Sequence, residues 1–117
     1  MAKILIVDDS ALTRKMLKSI LATTEHTVIE ASGGTEAIKL YTQERPDLVF
    51  LDLVMRDMHG LEVLRKLRDS DPNCRVIIVT ADIQKTTQEM ALEGGALEII
   101  SKPFSQDLIL EVLKRYI

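Results

Sequence analysis

The sequence predicts an α/β fold: a doubly wound, five-stranded parallel sheet built from five βα units, (βα)5, in a single domain spanning residues 1–117. Three observations carry this. Short apolar runs rich in β-branched residues recur without alternation, as strands buried on both faces require. Stretches of helical period separate them. The 117-residue length fits one core and leaves no room for a second domain.

The first strand is Ile4-Leu5-Ile6-Val7, and Ser10 then offers an N-cap for a helix bearing Leu12, Met16, Leu17, Ile20 and Leu21 on one face. A weaker strand lies near Thr27-Val28-Ile29. After Gly33-Gly34 a second helix carries Ala37, Ile38 and Tyr41 and must end before Pro46. Leu48-Val49-Phe50-Leu51 is the third strand. A third helix starts near Gly60 with Leu61, Leu64 and Leu67. Val76-Ile77-Ile78-Val79 follows as the fourth strand. The fourth helix, from about Ile83 to Glu93, is mostly polar, with Met90 and Ala91 its clearest core candidates, and stops at Gly94-Gly95. Leu97 to Ile100 reads as a weak fifth strand, and Leu108, Ile109, Val112 and Leu113 mark the last helix.

Composition narrows the function classes. With 46% apolar and 28% charged residues, the chain has a core under a solvated surface, which excludes disordered and fibrous classes. A net charge of -3 without a dense Lys/Arg cluster argues against direct nucleic-acid binding. The lone Cys74 has no metal-ligand spacing and reads as a free structural thiol, suited to a reducing compartment. The N-terminal apolar run is too short for a signal peptide, and no segment is long enough to insert in a membrane, so the expected location is cytoplasmic.

In open parallel sheets ligands collect beyond the carboxyl ends of the strands. There this chain places Asp8-Asp9 after the first strand, Asp52 after the third, Thr80 after the fourth and Lys102-Pro103 after the fifth. The second strand ends in Glu30-Ala31-Ser32 and offers nothing comparable. Converging carboxylates repel one another, and a hard cation such as Mg2+ resolves the conflict. Asp9 and Asp52 suit direct ligation, with Asp8 orienting a metal-bound water. Asp52 is the natural nucleophile for an acyl phosphate, with Lys102 pairing the phosphoryl oxygens and Thr80 donating to one of them. Taken singly, an Asp pair is a turn former, a terminal Thr a strand residue and Lys-Pro a surface turn. Asp52 is harder to explain away, since it follows Val49-Phe50-Leu51 and precedes Leu53-Val54-Met55.

Ile-Leu-Ile-Val-Asp8-Asp9-Ser, Leu-Asp52-Leu-Val-Met-Arg-Asp-Met-His-Gly60, Val-Thr80-Ala81 and Lys102-Pro103-Phe104 together resemble the receiver domain of two-component response regulators, along the whole chain. The resemblance implies a flavodoxin-like sheet in the order 2-1-3-4-5. It implies phosphorylation of Asp52 by a sensor histidine kinase, and Mg2+ (or Mn2+) held by Asp9, Asp52 and the backbone carbonyl of Val54, with Asp8 assisting through water. It implies contacts from Thr80 and Lys102 to the phosphoryl group and a cis bond before Pro103. Ser10 to Leu17 and Thr80 to Gln84 look like stand-alone, chemotaxis-type regulators, so output is expected through a separate output protein or phosphatase, with a kinase or phosphatase docking near helix one at Arg14, Lys15 and Lys18 and the fourth helix, fifth strand and fifth helix as output face. Such a domain is a phospho-acceptor rather than an enzyme, limited to its own phosphotransfer and autodephosphorylation.

The departures lie around the site. Arg56 stands where the family usually has Pro, and His59 where Asp usually precedes the loop glycine; His59 and His26 are expected at the surface. Ile99 stands where an aromatic usually reports the switch, so coupling from Thr80 is expected through the loop Ala81–Gln84 and the fourth helix instead. Val54 and Asp82 lie near the path of an attacking water. A partner-binding pseudo-receiver would lack an acid, the acceptor or the lysine. An aspartyl-phosphate hydrolase needs a second Asp where this chain has Val54, and a flavin module needs a phosphate loop where it has Asp8-Asp9-Ser10.

Overall fold

The structure, a computed structural model, describes residues 1–117 and alternates strand and helix throughout. The strands are β1 (Lys3–Val7), β2 (Thr27–Ala31), β3 (Leu48–Leu51), β4 (Val76–Thr80) and β5 (Glu98–Ser101). The helices are α1 (Ala11–Leu21), α2 (Gly34–Glu44), α3 (Gly60–Ser70), α4 (Lys85–Glu93) and α5 (Gln106–Tyr116). All strand pairs are parallel, in the order β2-β1-β3-β4-β5, so the direction of winding reverses between β1 and β3.

The two-residue period of the strands divides the core into two layers. Leu5, Val7, Val49, Leu51, Val76 and Ile78 face α2, α3 and α4, where they meet Ala37, Tyr41, Val63, Leu64, Leu67 and Ala91. Ile4, Ile6, Leu48, Phe50, Ile77 and Val79 face α1 and α5, meeting Leu17, Ile20, Leu21, Ile109, Val112 and Leu113. Burial on both faces explains why β1, β3 and β4 read as unbroken apolar runs. The edge strands β2 and β5 are only half covered, which is why their signal was weak.

The helix ends follow local chemistry. Ser10 caps α1 through its hydroxyl, which accepts from the N–H of Thr13, and Ser105 caps α5 in the same way at Leu108. α2 stops at Glu44, where Arg45 takes a left-handed conformation (φ 46°) ahead of Pro46. Helix α4 starts two residues later than its pattern suggested. The Asp82 carboxylate accepts the N–H of Gln84 at 2.9 Å, and this Asx turn holds Ile83 out of the helix.

Four of the helices differ from expectation in which residues they bury. Leu12 and Met16 are exposed on α1, because the stripe that reaches the sheet runs through Leu17, Ile20 and Leu21. Met90 is 54% exposed while its neighbour Ala91 is fully buried, since the short side chain lets α4 approach the sheet closely. Leu108 is partly exposed at the start of α5, and Val63 is a core residue of α3 that the leucine pattern concealed. Cys74 is a free, buried thiol, and burial raises its pKa. No helix is long and apolar enough to cross a membrane.

Candidate functional site

Parallel register brings the strand-end residues together. Val7 pairs with Leu51, and the N–H of Asp52 donates to the Val7 carbonyl at 2.9 Å, so Asp8 and Asp52 emerge side by side. Thr80 pairs with Ser101, which sets Lys102 one residue beyond Thr80 on the neighbouring strand. Asp8, Asp9, Asp52, Thr80 and Lys102 thus share one edge of the sheet, next to the point where winding reverses. The Lys102-Pro103 peptide is cis.

The centre of the cluster is the ammonium of Lys102. Its Nζ donates to Asp8 Oδ2 at 2.7 Å and to Asp52 Oδ2 at 3.1 Å. Asp8 also accepts the N–H of Ser10 at 2.8 Å, and Asp52 Oδ1 accepts the N–H of Val54 at 3.3 Å. Both carboxylates are buried, and no buried side-chain nitrogen or oxygen lacks a partner. Burial pushes the Asp8 carboxyl above its ordinary pKa; the Lys102 and Ser10 hydrogen bonds oppose the rise, and the Asp52 charge adds to it. Burial works against the Lys102 ammonium, yet its bonds to Asp8 and Asp52 outweigh that and hold its pKa above the usual lysine value.

The surrounding residues fix the cluster in place. Thr80 is fully buried, and its Oγ1 accepts the N–H of Asp82 at 3.2 Å, so the hydroxyl terminates the loop Ala81–Gln84. Asp82 spends a carboxylate oxygen on its own turn, and Val54 is largely exposed. Ile99 is half-buried, paired with Ile78 and packed against the layer under α2, α3 and α4. Arg14 bonds the carbonyl of Asp8 at 2.8 Å and, with Lys18, holds Glu30 on β2.

Asp9 is oriented differently from its neighbour. Its Oδ2 accepts from the backbone N–H of Arg56 at 3.1 Å and lies 3.4 Å from the Arg56 Nε. With Asp8 and Asp52 turned to Lys102 and Asp9 to Arg56, no three His, Cys, Asp or Glu side chains stand as a ready ligand set. The donors nonetheless fit a hard divalent cation. They are all oxygens, three carboxylates face two cationic side chains, and no backbone N–H takes the Val54 carbonyl.

Several positioning residues escaped the sequence reading. His59 Nδ1 accepts the N–H of Leu61 and so caps α3, doing from this position what a carboxylate does elsewhere. His26 Nδ1 accepts the N–H of Ala2. Asp57 caps α2 from another part of the chain, accepting the N–H groups of Gly34 and Thr35 at 3.1 Å each. Gly33 at the α2 N-cap has no side chain to do so, which was the one available hint. Gly60 lies directly on the backbone of Asp52 and Leu53.

A doubly wound α/β sheet with an acid cluster joined by a lysine at the switch point defines the class: an aspartate-centred site on a flavodoxin-like frame. Residues 4–114 match the response regulator receiver domain. Chemotaxis protein CheY of Listeria monocytogenes is 40% identical over 116 residues, covering 98% of each chain. Sporulation initiation phosphotransferase F of Bacillus subtilis is 38% identical over 98% of this chain and 93% of its own length. Among solved structures, a CheX–CheY–BeF3–Mg2+ complex from Borrelia burgdorferi superposes with a TM-score of 0.93 at 32% identity, covering 98% of this chain and 89% of that one. The chain belongs to the response regulator receiver domain family, the signalling switches phosphorylated on an aspartate with Mg2+.

Proposed function

We propose that residues 1–117 act as one receiver unit in which Asp52 is the phospho-acceptor. The observation that carries this is the shared ammonium: Lys102 Nζ binds Asp52 and Asp8 at once, on a buried strand-end carboxylate. A carboxylate oxygen of Asp52 attacks the phosphorus of a phosphohistidine on a sensor histidine kinase. The new P–O bond forms as the P–N bond breaks, and the imidazole leaves. Lys102 stays with the incoming phosphoryl oxygens, and the Thr80 hydroxyl donates to one of them. Asp9, Asp52 and the Val54 carbonyl would hold Mg2+ (or Mn2+), with Asp8 assisting through water, and the bound ion would supply positive charge against the transferring group. Autodephosphorylation is the attack of water on phosphorus, returning the Asp52 carboxylate and inorganic phosphate. The domain's chemistry is confined to its own acceptor, in the cytoplasm.

The switch passes from Thr80 to its loop. Moving the hydroxyl onto a phosphoryl oxygen removes the acceptor for the Asp82 N–H and frees Ala81–Gln84 and α4 to rearrange. What supports this route over one through Ile99 is that Ile99 has no ring to swing and sits packed in the core layer. A separate output protein or phosphatase reads α4, β5 and α5, where Met90 and Leu92 are exposed next to Ile83 of the preceding loop. The kinase or phosphatase docks near α1, whose Leu12 and Met16 are exposed beside Lys15. Arg14 and Lys18 are partly committed to Glu30, so of the three basic residues Lys15 is the one free for a partner.

Incubation with a small acyl phosphate and Mg2+, read by intact mass, tests the central assignment. Wild type gains one phosphoryl group and Asp52→Asn gains none. No gain in wild type, or an equal gain in Asp52→Asn, overturns it.

A further inference from the structure

We infer that Arg56 is a built-in competitor for divalent cations at Asp9, lowering the metal affinity of the acid cluster; this rests on the assignment of Asp9 as a metal ligand. The contact has two parts on one carboxylate oxygen. The Arg56 backbone N–H reaches Asp9 Oδ2 at 3.1 Å, and the guanidinium Nε lies 3.4 Å from the same atom. A proline at this position would supply neither donor. A cation on Asp9 must either displace the guanidinium or sit beside it, and both weaken binding.

A side chain that is 90% exposed makes a fluctuating ion pair on its own. Here the backbone holds it in range. The next residue, Asp57, is fastened to the first turn of α2 by two N–H groups at 3.1 Å each. That seat exists because residue 33 is glycine: a Cβ there would come within 2.8 Å of Asp57 Oδ1. Adjacent residues of the β3–α3 loop therefore point in opposite directions, one to α2 and one to the acid turn after β1. The anchored loop presents the Arg56 N–H and guanidinium to Asp9 whenever no cation occupies it. Coupling of this kind also predicts salt sensitivity, since ionic screening weakens an exposed guanidinium's hold more than a backbone N–H's.

The test is Mg2+ titration of the unphosphorylated full chain by calorimetry and by amide chemical shifts, comparing wild type with Arg56→Gln and Arg56→Ala. Both variants remove the guanidinium from an exposed position and keep the backbone N–H, so folding is preserved. Each binds Mg2+ about two- to fivefold more tightly than wild type, the range an exposed ion pair carries. The gap narrows as ionic strength rises, and Arg56→Lys stays near wild type. In phosphorylation assays the half-saturating Mg2+ concentration falls by the same factor while the rate at saturating Mg2+ is unchanged. Equal or weaker binding in both variants, with wild type binding normally, overturns the competitor role alone. Absence of Mg2+ binding in wild type overturns the assignment of Asp9 and the inference with it.

Discussion

The backbone N–H of Lys102 donates to the carbonyl of Thr80 at 2.9 Å, tying the two residues proposed to contact the phosphoryl group to one rung of the sheet. Their side chains therefore keep a set spacing, and a group bound between them is felt by the loop that Thr80 terminates.

Thr80→Ala removes the acceptor for the Asp82 N–H without touching the carboxylates. The cost to stability is about 1 kcal/mol, that of one hydrogen bond. Phosphorylation of Asp52 persists, while the chemical-shift changes at Asp82–Gln84 on adding a beryllofluoride phosphoryl mimic collapse. Unchanged shifts in the variant would exclude the loop route.

Asp8→Asn is expected to raise the melting temperature by a few degrees in the presence of a chelator. Burial lifts the Asp8 pKa, so its charge is harder to carry in the fold than in the unfolded chain. A raised carboxyl contributes stability at low pH that is lost as pH rises through its folded value. The variant's advantage is therefore largest at neutral pH and fades in acid, and melting curves across that range check it. Mg2+ binding weakens in the same variant, so the stabilisation comes with loss of function.

Tyr41 donates its hydroxyl to Asp71 at 2.8 Å, joining α2 to the end of α3. Burial and then this bond raise the tyrosine pKa, and the same bond lowers that of Asp71. The phenol's contribution is complete below its ordinary value of 10.0 and is lost as pH climbs through the folded value. The Asp71 share runs the other way: it is present above 3.8 and disappears as pH falls through the depressed value. Tyr41→Phe lowers the melting temperature at neutral pH, and its curve meets that of wild type at strongly alkaline pH. Parallel curves to the alkaline limit would count against the bond.

Gly60→Ala strikes Asp52, the proposed acceptor, from behind. A Cβ at residue 60 collides with the Asp52 carbonyl oxygen and lies 2.5 Å from the Leu53 Cα, both main-chain atoms that cannot rotate away. Destabilisation of about 3 kcal/mol is expected, the upper range for overpacking. Phosphorylation falls with it, because relief of the clash moves Asp52. Denaturant unfolding and acyl phosphate labelling measure the two effects together.

The local code of this chain was enough for the βα order, the three central strands and the residue types at their carboxyl ends, because each follows from periodicity within a few residues. Asp52 was legible as an acid forced between apolar runs. Periodicity could not say which apolar residues on a helix would meet the sheet. Leu12, Met16 and Met90 belong to the right faces by spacing, yet the approach of the helices leaves them in solvent. Nor could spacing reveal that Asp9 turns to Arg56, 47 residues away, while Asp8 turns to Lys102, 94 residues away. Those partners are chosen by strand register and by the Asp57 anchor on α2, which exist only once the chain has closed on itself. The sequence alone thus determined which groups meet at the sheet edge; the tertiary structure decided how their charges pair, because ion pairing depends on distances across strands that no local pattern encodes.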